Sequence, residues 1–276
     1  MRINSNISGM FAVRSLQEGQ RSLQATLDTI ASGHRINSAA DDASGMTIAD
    51  SLESQARGMG QAIRNASDAV AMAQVADGAL ENASRIIQVI REKALQAAND
   101  SQGSASRQAI QADIDKMLTQ LDTIAQTTTY NGQRLLTGEF TNKSFQTGAY
   151  AGETISLSID SAASGELGNS DAGRLSEIDV TTFEGAQAAI GIADQAMSDL
   201  NANRSRIGSV QNQLASTIQN LSTSQINVFA SESNIRDADM AEASMVLSRL
   251  KLLNRARSYA LAQANAKEEN VINLLK

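Results

Sequence analysis

The residues that could carry chemistry are few and are not arranged for it. His34 is the single histidine among 276 residues, and there is no cysteine. That excludes the H-E-x-x-H zinc site, thiolate metal centres and disulfides, and it leaves no redox clue to the compartment. Asp113, Asp115 and Asp122 could serve as paired carboxylates for acid–base work. With no His, Cys or Lys arranged around them, a solvated helix face is the expected role. Gly58-Met59-Gly60 looks like a fragment of a phosphate loop, but no strand precedes it and the G-x-G-x-x-G pattern is incomplete. Close helix packing or a local bend is expected there instead. No catalytic residue, cofactor or metal ligand is expected, and the chain does not read as an enzyme.

Composition says what replaces chemistry. Hydrophobic residues make up 42% of the chain but aromatics only 3%, with no tryptophan and no proline. Long helices packed through small residues suit this mix better than a thick core. Residues 1–40 hold four arginines against two carboxylates, and residues 241–276 hold six basic groups against three acidic ones. With a net charge of −7 overall, the middle is strongly acidic. The basic residues are spread along amphipathic helices without clustering, which argues against nucleic-acid binding. No window approaches the roughly 20 apolar residues of a membrane span, and Met1–Leu16 has no signal-peptide core.

The elements follow from periodicity. Ile3, Ile7, Met10, Val13, Leu16, Leu23, Leu27 and Ile30 lie near a heptad seam. Ala31–Leu52 reads as a joint: Gly33 can end one helix, and Asn37, Ser38, Asp41 and Asp42 can cap the next. Helical period continues from Ser44 to about Asn99, and a third helix over about Ser106–Gln126 has its seam at Ile110, Ile114, Met117, Leu121 and Ile124. The period changes to two in a hairpin over about 140–160, where Thr154–Ile159 alternates polar and apolar. About 160–185 has little pattern and is expected to be a variable surface loop. A fourth helix begins near Gly185, with a seam at Ile207, Val210, Leu214, Thr217, Leu221, Ser224 and Val228. After Ser233–Asp239 a last helix, Met240–Leu275, carries Leu247, Leu250, Leu253, Leu261, Ala264, Val271 and Leu274; Asp239 and Glu242 resemble its capping box.

The expected fold is mainly α: an elongated, coiled-coil-like helical bundle with a small β-hairpin and paired N- and C-terminal helices. Apolar stripes at Ile3, Ile7, Leu16, Leu23, Leu27, Ile30, Leu247, Leu250, Leu253, Leu261 and Leu274 are expected to serve assembly. Pairing the ends joins residues more than 200 apart, at a loop-closure cost that neighbours in an assembly would help to offset.

The joint also carries a resemblance. Ser32-Gly33-His34-Arg35-Ile36-Asn37-Ser38-Ala39-Ala40-Asp41-Asp42-Ala43-Ser44-Gly45 resembles the N-terminal signature of bacterial flagellins. So do Arg57-Gly58-Met59, Arg64–Asp68, Gly78-Ala79-Leu80 and Asn131–Leu136. On the C-terminal side Ile207–Asn212, Ser233–Ala241 and Ala262–Asn265 match too, in the right order and spacing. The resemblance spans about 1–160 and 186–276. It implies a structural subunit of the flagellar filament used for swimming motility, exported through the flagellar type III apparatus with a chaperone and located in the extracellular flagellum. It also implies polymerisation with itself, alongside filament cap and hook-junction proteins. Residues 1–40 and 240–276 would form the inner tube and 41–239 the outer tube. Only about 25 residues stand where larger relatives carry outer domains, so a minimal form is implied. The alternatives are a hook–filament junction protein or another exported coiled-coil structural protein.

Two further expectations come from the family. The stretch aligned with a Toll-like receptor 5 contact motif reads Gln88, Val89, Ile90, Arg91, Glu92, Lys93; Val89 replaces an arginine and Lys93 a leucine, so activation is expected to be weak or absent. Ser161, Ser164, Ser170, Ser176, Thr181 and Thr182 are candidate glycosylation hydroxyls.

Overall fold

A computed structural model describes residues 6–169 and 173–274. Among these, five α-helices carry most of the chain: α1 (Ile7–Ser32), α2 (Ala43–Ala97), α3 (Ser104–Thr127), α4 (Phe183–Arg236) and α5 (Met240–Leu274). Without a proline to remove a donor or clash with a preceding carbonyl, α2 and α4 run unbroken for 55 and 54 residues. Their ends are set by side chains. Asn6 Oδ1 accepts the Gly9 N–H at 2.6 Å to start α1. Gly33, left-handed at φ 76°, ends it by donating to Thr29 O. Asp42 Oδ1 accepts the Gly45 N–H at 2.9 Å as the cap of α2. Asp239 Oδ1 accepts the N–H groups of Ala241 and Glu242 at the start of α5. The reciprocal half of the expected capping box is not among the bonds of Glu242.

Among the described residues, three two-stranded antiparallel ladders lie between α3 and α4. Strands β1 (Thr129–Tyr130) and β2 (Gln133–Arg134) enclose Asn131 and Gly132, both at positive φ (48° and 77°), the turn that matches strand twist. The expected hairpin is β3 (Lys143–Gln146) with β4 (Thr154–Leu157), in a register that sets Phe145 opposite Ile155. A short pair, β5 (Gly168–Asn169) and β6 (Gly173–Arg174), leads into a 3-10 turn at Leu175–Glu177.

The chain folds as two compact units, Met1–Gln55 with Ile226–Lys276 and Ala56–Gln225. The divide falls inside α2 and α4, deeper than the two joints. The larger unit holds nearly all of the buried apolar side chains: Leu80, Ile87 and Ile90 of α2, Ile114 and Leu121 of α3, and Leu200 of α4 are enclosed with Leu136, Phe140 and Leu157.

Two readings of the sequence change here. On α4 the buried stripe lies mostly ahead of the expected seam, at Ala186, Ala189, Ile192, Ala193, Ala196 and Leu200. It then passes through Ile207 and Leu214, while Leu221 is only half-buried. Alanine-rich faces pack closely yet carry a weaker hydrophobic period than the larger leucines further along the helix. The patternless 160–185 stretch is also more than a surface loop. Ala162, Leu167, Leu175, Ile178 and Val180 are buried in the core, and Ser164 N–H and Oγ donate to the two oxygens of Asp122, each at 2.8 Å. Asp122 therefore holds a loop, while Asp113 pairs with Lys93 and Lys116.

Candidate assembly surface of the terminal helices

The smaller unit begins with the joint. Past Gly33 the backbone runs briefly antiparallel to the start of the C-terminal joint, with His34 bridged to Asp237. Arg35 N–H donates to Arg236 O at 2.7 Å, and Ala238 N–H to Gly33 O at 3.0 Å. Side chains reinforce the bridge. His34 Nδ1 lies 3.2 Å from Asp237 Oδ1, and Ser233 Oγ donates to Asp237 Oδ2 at 2.6 Å. Arg236 Nη1 reaches Glu53 Oε2 at 3.0 Å and Asp50 Oδ1 at 3.5 Å on α2. The Ser233 hydroxyl and, after it, His34 hold the Asp237 carboxyl below the usual aspartate range. Asp41 is lowered likewise by the backbone N–H groups of Ser38 and Asn37, which close the loop ahead of α2.

From this joint α1 and α5 pack as an antiparallel pair. Gly9, Ala12, Leu16, Gly19, Leu23, Thr26 and Ile30 are the half-buried or buried positions of α1 at alternating steps of three and four. Ala243, Leu247, Leu250, Asn254, Arg257, Leu261 and Ala264 form the matching series on α5. This is the seam of a coiled coil, and Asn254 Nδ2 pins its register by donating to Gly19 O at 3.1 Å. At that layer α1 supplies no side chain, and Asn254 and Arg257 fill the space. Asn254 Oδ1 and Arg257 Nη1 are buried there without a hydrogen-bond partner.

Each helix has a second apolar face that the pair leaves outside. On α1 this comprises Ile7, Met10, Phe11 and Leu27; on α5 it comprises Met245, Leu252 and Tyr259, one per heptad, with Leu253 beside them. Of the residues expected to serve assembly, Leu16, Leu23, Ile30, Leu247, Leu250 and Leu261 lie half-buried in the intramolecular seam. Ile7, Leu27 and Leu253 are exposed. Ile3 and the side chain of Leu274 lie outside the described residues. Gly9, Gly19, Asn254, Arg257, Met245 and Tyr259 carry no strong signal of their own in the sequence; only the continuing heptad count points to the first four.

The other candidates are spread over the larger unit. Gln88, Val89 and Glu92 are exposed on α2. Arg91 Nε donates to Asp194 of α4 at 2.5 Å, and Lys93 Nζ sits 3.3 Å from Asp113 of α3, so both cations tie helices together. Among the hydroxyls, Ser176 and Thr182 are exposed, Ser161 and Thr181 half-buried, and Ser170 lies outside the described residues. Ser164, expected to be exposed, is buried by its two bonds to Asp122.

The sequence over residues 3–141 matches the bacterial flagellin N-terminal helical region, and residues 190–275 match the bacterial flagellin C-terminal helical region. The chain belongs to the bacterial flagellin family. Flagellin B of Helicobacter pylori is 42% identical over 81% of this chain, which spans only 42% of that protein's length. The flagellar filament 33 kDa core protein of Treponema phagedenis is 34% identical over the full length of both chains. A solved structure named for a flagellar hook-associated protein from Vibrio parahaemolyticus shares the fold, with TM-score 0.61 at 16% identity over 71% of this chain and all of that one. As a flagellin, the chain is a structural component of the flagellar filament and polymerises with its own kind. Among the described residues, the stretch between the two matched regions, 142–189, holds the β3–β4 hairpin, the core-covering loop with its β5–β6 pair, and the first turns of α4, as in a minimal flagellin.

Proposed function

We propose that this flagellin polymerises through the outward apolar face of its α1–α5 pair, so that neighbouring subunits cover what the isolated chain leaves in water. The exposure of Met10, Phe11, Met245, Leu252 and Tyr259 on one helical pair carries this reading. Covering apolar surface contributes roughly 25 cal/mol per Å². If subunits above and below meet different faces, the contact is heterologous and does not close, so a filament grows. In this reading residues 1–40 and 240–276 build the inner tube and 41–239 the outer tube. The subunit is exported through the flagellar type III apparatus with a chaperone, is capped during growth, meets hook-junction proteins at the base, and works outside the cell.

Purified protein raised in salt and viewed by electron microscopy should form long helical filaments. Deleting residues 245–276 should abolish them while the Ala56–Gln225 unit keeps its helical spectrum and melt. Discrete particles from the full chain would instead favour a junction protein, whose fold is shared but whose sequence likeness is low.

The exposed hydroxyls of Ser176 and Thr182 suit glycosylation in the assembled filament. An intact mass on native filaments equal to the unmodified 29.2 kDa chain would exclude it.

A further inference from the structure

The outward face of the terminal pair concentrates methionine. Met10 is 69% exposed and Met245 68%, whereas Met59 and Met72 in the larger unit are 9% and 8% exposed; Met240, 45% exposed, stands one heptad before Leu247 on the stripe that faces α1. Met46, Met117 and Met197 are half-buried, and Met1 lies outside the described residues. Every strongly exposed thioether among the described residues therefore sits on α1 or α5. Met10 stands with Val13 on the wall of a shallow groove completed by Gly9 and Asn265. Met245 heads the heptad stripe that continues through Leu252 and Tyr259.

A thioether in water is open to peroxide. Its sulfur lone pair attacks one peroxide oxygen, the O–O bond breaks, and an S–O bond forms. The sulfur loses two electrons as hydrogen peroxide is reduced to water. The product is a polar, chiral sulfoxide that accepts hydrogen bonds, in place of a flexible apolar side chain. Burying such a group against another subunit without a donor is unfavourable. Met10 shares its stripe with Ile7, Phe11 and Val13 and its groove with Arg14, Gln17 and Asn265, and Met245 shares its stripe with Leu252. A copy that covers those stripes with apolar side chains supplies the new oxygen with no donor of its own.

We propose that Met10 and Met245 form a peroxide-sensitive pair that gates incorporation of the subunit. A chain oxidised there does not join the filament, and a chain already incorporated is shielded. The proposal rests on the reading that copies of this chain cover the outward face. Sulfoxides are returned to thioethers by a pair of epimer-specific reductases, so the gate is reversible.

The test treats the soluble full-length chain with hydrogen peroxide, removes the oxidant with catalase, maps sulfoxides by peptide mass, and measures the concentration needed for polymerisation. Met10 and Met245 should oxidise at least about fivefold faster than Met59 and Met72, and should be protected in preformed filaments. The oxidised chain should need at least about a tenfold higher concentration to polymerise, and incubation with both sulfoxide reductases should restore it. A Met10→Leu/Met245→Leu chain should polymerise normally after peroxide. Unchanged polymerisation by chain oxidised at both positions would overturn the proposal. So would no rescue by the reductases, or equal loss in the double variant. Failure of the untreated chain to polymerise would instead sink the assembly reading, with oxidation rates still measurable on the soluble protein.

Discussion

Asn254 Nδ2 donates to the backbone carbonyl of Gly19 at 3.1 Å, joining residues 235 apart in sequence. The bond exists because position 19 has no side chain: a β-carbon there would fall 2.2 Å from Asn254 Oδ1 and 1.9 Å from Arg257 Nη1. Gly19→Leu should therefore force both polar groups out of the seam and part α1 from α5. The concentration for polymerisation should rise about tenfold or more, the equivalent of about 1.4 kcal/mol. Gly19→Ala combined with Arg257→Ala should recover only part of the loss seen with Gly19→Ala alone, because Asn254 Oδ1 still meets the added methyl.

Leu214 sets the stability of the far end of the core. It is fully buried with Ala66 and Ala69 beneath the Phe145 and Ile155 pair of the hairpin. Leu214→Ala should cost about 2–5 kcal/mol in chemical denaturation, as for other enclosed leucines. Leu221 is half-buried, so Leu221→Ala should cost clearly less. Leu221→Asp, whose carboxylate can reach water, should be tolerated better than Leu214→Asp.

The Ser164–Asp122 contact fastens the 160–185 loop to α3. Ser164→Ala removes the hydroxyl bond to Asp122 Oδ2 and leaves that oxygen with one partner fewer. A loss of about 1–2 kcal/mol is expected, visible as a lower melting temperature of the larger unit. Ser176→Ala, at an exposed position, should stay within about 0.5 kcal/mol of the parent.

Acid should loosen the joint. The carboxyls of Asp237 and Asp41 titrate below their ordinary 3.8 because hydrogen bonds favour the charged form. Lowered folded values mean that this stabilisation is complete above the unfolded value and is lost as pH falls through the folded ones. Helicity of the terminal pair should hold steady at neutral pH and decline as pH drops below 3.8. Asp237→Asn should remove part of that acid transition. An unchanged titration in the variant would show that the Ser233 and His34 contacts carry no stability.

Receptor activation tests the altered patch on α2. In reporter cells the parent monomer should signal weakly through Toll-like receptor 5. Val89→Arg with Lys93→Leu should gain about 100-fold or more, each contact hot spot contributing about 1–3 kcal/mol. Lys93→Leu also gives up the pair with Asp113, so a small fall in melting temperature should accompany the gain.

What the sequence determined by itself is what depends on near neighbours along the chain. An absence of proline, helix-favouring residues and capping side chains at Asn6, Asp42 and Asp239 dictate long helices with defined starts. Gly33 and the Asp41 loop dictate a joint, and the alternation from Thr154 dictates a strand. The same local patterns, in their order, carry the family likeness. Tertiary structure alone decided which face meets which. Leu253 looks no different from Leu250 in the sequence, yet one is exposed and the other half-buried, because α5 carries two apolar stripes and only one turns to α1. Periodicity reports that a stripe exists; its partner is chosen by contacts between residues more than 200 apart, whose complementarity no local window contains. The Gly19, Asn254 and Arg257 layer reads as a gap and two polar interruptions until the helices are brought together. Ser164 reads as a surface hydroxyl until Asp122 arrives from another helix.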